Sequence, residues 1–72
     1  MIKLEFRHLL REKQAKENRD ITASTLSQET GISRATFRRF EKGISRGVEF
    51  DTLETLCDYF NCKIEDLLVR VK

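Results

Sequence analysis

Apolar residues recur at intervals of three and four along most of the chain, a spacing that predicts short helices with one buried face. Two such helices are predicted between residues 22 and 41, with a tight turn between them. Thr22 can cap the first helix, and Gly31 suits the left-handed backbone that ends it. Ser33 can cap the second helix, which Gly43 can end in the same way. The positions that would pack the pair together are apolar: Leu26, Ile32, Phe37 and Phe40.

Further helices are predicted on both sides of this pair. Residues 7–17 are rich in helix formers, although the polar run over 13–20 favours a frayed end and a solvated loop. After a loop over 44–50, Asp51 followed by Glu54 is typical of a capping box and predicts a helix start. The buried stripe of that helix would be Leu53, Leu56, Cys57 and Phe60, with Asn61 as its left-handed end and a last short helix over 64–68.

Both ends of the chain alternate between apolar and polar side chains, a period that predicts strands. Residues 2–6 and 67–72 could pair as a two-stranded ribbon, which would have to pack on the helices because an isolated ribbon is marginal. Two alternatives stay open at this point. Both ends could fray, or the ribbon could serve a dimer through Leu68, Val69 and Val71.

The composition favours a single small binding domain over residues 1–72. With 72 residues and about 39% apolar side chains, the chain has little area for both a core and a deep substrate pocket, so neither an enzyme nor a small-molecule substrate is predicted. His8, Cys57 and Cys62 make a poor metal set, so no metal or cofactor is expected. No secretory signal and no apolar run near the length of a membrane span are visible, which predicts a cytoplasmic protein with reduced thiols.

Charge is distributed unevenly along the chain. Residues 33–48 carry five cations and one acid, whereas residues 49–66 carry six acids and one cation. A basic patch beside an acidic one can orient a molecule toward a polyanion, although a merely solvated surface would show the same pattern.

The segments LSQETGISRATFRRFEKG and FDTLETLCDYFNCKIEDLL resemble the Cro/CI-type (XRE-like) helix-turn-helix family of phage repressors and small bacterial regulators. The similarity covers about residues 2–71. It implies an all-α, five-helix, lambda-repressor-like DNA-binding domain with the helix-turn-helix at residues 22–41 and short strands at the ends.

The resemblance also implies which residues meet DNA. In helix 33–40, the recognition helix, Arg34, Ala35, Arg38 and Arg39 fall where family members face base edges. The positions that fall where family members contact phosphate are Ser33, Thr36, Lys42 and Arg46. Ala23 stands where some members carry a phosphate-binding glutamine, for which Thr22 or Ser24 could substitute.

The side-chain chemistry is consistent with these roles. Residues four apart share a helix face, so Arg34 lies above Arg38 and Ala35 above Arg39. An arginine fork can take guanine O6 and N7 together, and a methyl group can touch thymine. The plainer interpretation is that these arginines are ordinary solvent-facing residues, although Arg34 in a first turn opposes the helix dipole and so hints at an anionic partner.

Two further interpretations concern the first helix. Family members often pair an acid at the position of Glu41 with an arginine at that of Arg11, which suggests an ion pair between them. Relative to the family, the chain also carries extra residues, Gln14–Asp20. Lys16 and Arg19 lie within this stretch, and Lys13 lies directly before it. These cations could contact phosphate or simply solvate an extended helix.

The leading hypothesis is a sequence-specific regulator of transcription that binds double-stranded DNA as a homodimer, since one short helix reads only about 3–5 base pairs. A repressor of phage, plasmid or mobile-element type is implied by the resemblance alone. The alternative is a protein-interaction module, such as an antitoxin whose helix-turn-helix binds a protein partner.

Overall fold

The computed structural model describes residues 2–43 and 47–71, which form five helices and two short strands. In chain order the elements are β1 (Ile2–Leu4), α1 (Phe6–Glu17), α2 (Ala23–Thr30), α3 (Arg34–Glu41), α4 (Phe50–Phe60), α5 (Ile64–Leu67) and β2 (Leu68–Arg70). The predicted fold of five helices with a terminal ribbon is confirmed.

Side-chain caps define the start of α2 and of α3. Thr22 Oγ1 accepts a hydrogen bond from the backbone N–H of Thr25 at 3.2 Å. Ser33 Oγ accepts one from the N–H of Thr36 at 3.3 Å. Each cap satisfies a backbone donor that has no partner inside its own helix. Both predicted helix starts are therefore confirmed.

The turn between α2 and α3 depends on a left-handed glycine. Gly31 has a φ of 78°, and its N–H donates to Ser27 O. The Thr30 hydroxyl donates to Leu26 O at 2.6 Å and accepts from the N–H of Ile32 at 3.2 Å. These bonds satisfy the backbone on both sides of the turn, so α3 follows α2 after only three residues.

The start of α4 differs from the prediction. The helix begins at Phe50, and its N-cap is Glu49, whose extended backbone has no side-chain cap bond. Asp51 therefore lies inside the first turn, where its negative charge still interacts favourably with the helix dipole. Because Asp51 is not the N-cap residue, it does not form a capping box with Glu54. Asn61 ends the helix with a φ of 51°, as predicted.

The first helix is more regular than its polar sequence suggested. It continues without fraying to Glu17, and Asn18 ends it in the left-handed conformation with a φ of 50°. The side-chain carbonyl of Gln14 accepts a hydrogen bond from the N–H of Ile21 at 2.8 Å. This bond draws the following loop back against the helix and helps to place the buried side chain of Ile21.

The two ends of the chain pair as an antiparallel ribbon. Ile2 lies opposite Arg70, and Leu4 lies opposite Leu68. The N–H of Glu5 donates to Leu67 O at 2.8 Å and continues the pairing to the start of α1. Because side chains alternate between faces, these two residue pairs share one face, and Leu4 on that face packs against the core. The predicted ribbon is confirmed, and the alternative of frayed ends is wrong for residues 2–4 and 68–70.

Four phenylalanine rings meet at the centre of the core. Phe6 is 1% exposed, and its ring centroid lies 5.6 Å from that of Phe37, 5.8 Å from that of Phe40 and 6.0 Å from that of Phe60. We call these four residues the phenylalanine cluster. Tilted and edge-on ring pairs at such distances add about 0.5–1.5 kcal/mol each beyond the area they bury. The cluster joins α1 and α4 to the inner face of α3.

A second, polar cluster ties α1 and its following loop to α2 and α4. Arg19 forms two 2.8 Å bonds to the carboxylate of Glu29 and a third, at 2.7 Å, to Glu17. The Tyr59 hydroxyl donates to the same Glu29 carboxylate. Lys13 Nζ bonds Glu17 at 2.6 Å and the carbonyl oxygen of Tyr59 at 3.0 Å. We call these five residues the Arg19–Glu29 cluster.

Candidate nucleic-acid interface

Helix α3 turns one face inward and the other outward. Phe37 is fully buried and Phe40 nearly so, and both belong to the phenylalanine cluster. The opposite face carries the four residues predicted to contact bases, Arg34, Ala35, Arg38 and Arg39, and all four are exposed. The buried rings thus fix the rotation of the helix about its axis, which directs these four residues away from the core.

The outward arginines leave positive charge at the surface. Within residues 2–43 and 47–71, neither the Arg34 nor the Arg38 side chain has an ion-pair or hydrogen-bond partner. The dipole of α3 favours a cation at Arg38, near the C-terminus, and disfavours one at Arg34, in the first turn. An anion bound against this face would therefore be stabilised most at Arg34, because no other residue of α3 offsets the unfavourable interaction of this cation with the helix dipole.

The predicted phosphate contacts fall in three places. Ser33 and Thr36 lie at the start of α3, where their hydroxyls bond each other at 2.9 Å. Thr22 caps α2 and is exposed, as is Ser24 in its first turn. Lys42 is exposed at the end of α3, whereas Arg46 lies outside the described residues. The capping hydroxyls have structural partners, but each oxygen has further hydrogen-bonding capacity.

Two expectations about the first helix need correction. The described ion pairs do not include one between Arg11 and Glu41, and both of these side chains are exposed. In addition, Lys13 and Arg19 are not available to contact phosphate, and they do more than solvate the helix. Both side chains bond to other members of the Arg19–Glu29 cluster. The partners Glu29 and Tyr59 lie 10 and 46 residues away in the chain, so local sequence carried no signal for these two contacts, whereas the bonds to Glu17 are local.

The described residues offer little for other chemistry. No group of three or more His, Cys, Asp or Glu side chains in this part of the chain could hold a metal ion. Cys57 and Cys62 are free thiols, and burial together with neighbouring Cys57 raises the pKa of Cys62 to about 11. His8 lies at the surface, 2.8 Å from Glu12. None of the helices in residues 2–43 and 47–71 is long and apolar enough to cross a membrane.

Two capped helices joined at a left-handed glycine, with a basic outer face on the second, define a helix-turn-helix protein. The chain matches the family described as the Cro/C1-type HTH DNA-binding domain over residues 7–72 and belongs to that family. The family is a non-enzymatic, DNA-binding domain, so the chain is a DNA-binding protein and not an enzyme. Searches of curated proteins and of solved structures found no match.

Proposed function

We propose that the chain is a sequence-specific regulator of transcription that inserts α3 into the major groove of double-stranded DNA. The observation that carries this proposal is the division of α3 into two faces. Phe37 and Phe40 hold one face in the core, while Arg34 and Arg38 project from the other without a described partner. A short helix anchored in this way suits the major groove, which admits an α-helix.

The proposed base contacts follow from side-chain chemistry. Arg34, Arg38 and Arg39 are the candidates for bidentate bonds to guanine O6 and N7, and Ala35 is the candidate for a thymine methyl group. The candidates for phosphate contacts, which position the protein but carry little sequence information, are Thr22, Ser24, Ser33, Thr36, Lys42 and Arg46. The hydroxyls at the helix starts are suited to anions because free N–H groups and the helix dipole act together there.

We further propose that the chain binds as a homodimer. One short helix reads only about 3–5 base pairs, so a second copy on a near-palindromic site, about 34 Å along the duplex, would supply the remaining specificity. Binding across a promoter would block transcription, which corresponds to a repressor of phage, plasmid or mobile-element type. We expect the protein to act in the cytoplasm, where its DNA ligand would be found.

The proposal is tested by selecting bound sequences from random duplex DNA and titrating the affinity for the selected site against salt. Phosphate contacts predict a linear fall of log affinity with log salt, with a slope of about −0.9 per contact. A protein-interaction module, such as an antitoxin, would show no selected sequence and a flat salt response. That result would overturn the proposal.

Two substitutions separate the proposed roles. Arg38→Ala is expected to cost about 1–3 kcal/mol of binding and to relax preference at one base position. Lys42→Ala is expected to weaken all sequences alike and to reduce the salt slope by about one contact. Lys63→Ala removes the same charge from the exposed turn before α5 and should change neither quantity. Identical behaviour of the Arg38 and Lys42 variants would contradict this division of roles.

A further inference from the structure

Phe50 is the most exposed large apolar side chain among the described residues. It is the first residue of α4, and its side chain is 87% exposed. An aromatic side chain can bury about 150–250 Å², so leaving it in water forgoes a large favourable contribution. A single exposed apolar residue is common, whereas a cluster of them marks an interaction surface.

An apolar groove lies beside Phe50. Its walls are the start of α4 and the ribbon face that carries Ile2 and Leu4, and it is lined by Ile2, Leu4, Gly47, Val48, Leu53 and Leu68. Ile2 is 65% exposed at its edge. Phe50 lies one helical turn before Leu53, and residues three apart on a helix are surface neighbours. An exposed ring and an open apolar groove therefore stand side by side.

The charges around the two features are of opposite sign. Asp51 and Glu54 accompany Phe50 at the start of α4, whereas Arg70 lies opposite Ile2 on the ribbon face that lines the groove. All three side chains are exposed, and none has an ion-pair partner within the described part of the chain. The start of α4 in one molecule is thus complementary in charge to the groove-side ribbon face of another, and it also carries the exposed ring of Phe50.

We propose that the occupant of this groove is a second copy of the chain, with Phe50 of each copy seated in the groove of the other. A two-fold axis makes such a contact reciprocal, because each molecule supplies one ring and one groove. Contacts of this kind close after two molecules. The seam is then the α4 start and the groove, and not the opposite ribbon face that carries Val69.

This surface lies next to the DNA-reading helix. Thr36 and Arg39 of α3 line a second groove together with Val48, and Val48 also lines the apolar groove beside Phe50. A dimer formed through Phe50 would therefore hold the two α3 helices in a fixed relation. The role of this dimer in DNA binding rests on the proposed function, but dimerisation and the surface that mediates it can be measured without DNA.

Sedimentation equilibrium of the full chain without DNA tests the surface. The wild type is expected to dimerise, and Phe50→Asp is expected to weaken dimerisation by roughly thirty-fold or more, the effect of losing an aromatic anchor. Circular dichroism should show an unchanged fold, because the side chain is exposed. Ile64→Asp and Val69→Asp place the same charge at other exposed apolar positions and should leave the dimer intact.

A charge exchange tests the pairing itself. One variant carries Asp51→Lys and Glu54→Lys, and a second carries Arg70→Glu. In each variant alone the α4 start and the ribbon have the same sign, so each is expected to be monomeric. In an equimolar mixture both contacts regain opposite signs, and a heterodimer is expected.

The outcomes distinguish this inference from the proposed function. A wild type that stays monomeric at millimolar concentration, a dimer that survives Phe50→Asp, or charge variants that do not recover on mixing would each overturn the proposed surface. If the dimer behaves as expected but the wild type selects no DNA sequence, the proposed function fails and the surface stands. If both hold, Phe50→Asp should keep its affinity for one half-site and lose cooperative binding to two.

Discussion

At Gly31 the backbone turns from α2 toward α3 in a conformation that only glycine adopts readily. A Cβ added there would meet no atom within 4 Å, so a substitution would be opposed by backbone strain and not by a clash. The φ of 78° lies in the left-handed region, which costs an L-residue about 1–2 kcal/mol. Strain introduced by a substitution at Gly31 would therefore act on the turn between α2 and α3, which sets the orientation of α3.

Gly31→Ala is therefore expected to lower the free energy of unfolding by about 1–2 kcal/mol, measured by urea denaturation. Gly31→Asn should cost less, because asparagine tolerates the left-handed conformation better. Equal losses for the two variants would show that something other than backbone strain governs this position. The comparison needs no ligand and can be made on the domain alone.

Among the elements, α1, α2 and α4 are held together at one end by the Arg19–Glu29 cluster. Hydrogen bonds from Arg19 and Tyr59 lower the pKa of Glu29 from 4.5 to about 2. Burial, followed by the bond to Glu29, raises the pKa of Tyr59 to about 12. The bidentate geometry makes Arg19 harder to replace by lysine, which offers only a point charge.

The lowered pKa of Glu29 predicts an acid-sensitive contribution to stability. A carboxyl that binds its proton more weakly in the folded state stabilises the fold fully above about pH 4.5, and this contribution is lost as the pH falls toward about 2. Arg19→Met is expected to be less stable than the wild type at neutral pH, and the difference should vanish across that window. Urea denaturation at a series of pH values measures it.

Lys16→Met is the matched control for this titration, because Lys16 is an exposed cation of α1 that lies outside the cluster. Its stability should run parallel to that of the wild type at every pH, because the loss of a cation from the last turn of α1 does not depend on the titration of Glu29. A constant gap between the wild type and Arg19→Met from pH 7 to pH 2 would contradict the assigned role of Glu29.

The elements also show where sequence reasoning succeeds. Thr22, Gly31 and Ser33 were predictable because caps and left-handed turns depend on residues within three or four positions. The start of α4 was not, since the Asp51 and Glu54 pattern fits a capping box whether or not the backbone turns there. The Arg19–Glu29 and Tyr59–Glu29 contacts span 10 and 30 residues, and only the packed fold brings these groups together.

The same distinction applies to the candidate DNA interface. The outward face of α3 could be predicted, because the apolar positions Phe37 and Phe40 fix the rotation of a helix with 3.6 residues per turn. The exposure of Phe50 could not, since it depends on which side of the start of α4 faces the core in the folded chain. Sequence placed this residue in a loop, and the structure places it at the start of a helix.

For the molecule as a whole, stability depends heavily on the phenylalanine cluster. A folded chain of 72 residues buries a smaller share of its surface than a longer one, so each buried ring matters more. Phe6 is the member that contacts each of the other three rings. Its loss would affect the anchoring of α3 as well as the packing of α1 on α4.

Phe6→Ala is expected to lower the free energy of unfolding by about 3–5 kcal/mol, enough to leave much of the chain unfolded. Phe6→Leu keeps most of the volume and should cost about 1–1.5 kcal/mol, which remains measurable by denaturant titration. If both variants match the wild type, the ring contacts at Phe6 contribute little. DNA affinity, corrected for the folded fraction, should change less than stability does.

The pairing of the two chain ends has a mechanical consequence. Hydrogen bonds in an antiparallel pair run across the strands, and the pair nearest to both ends is Ile2 with Arg70. Tension applied between the two chain ends would therefore break these hydrogen bonds one after another, and not all at once in shear. A molecule tethered at both ends would yield first at the ribbon, at low force, while the helical body below it remained closed.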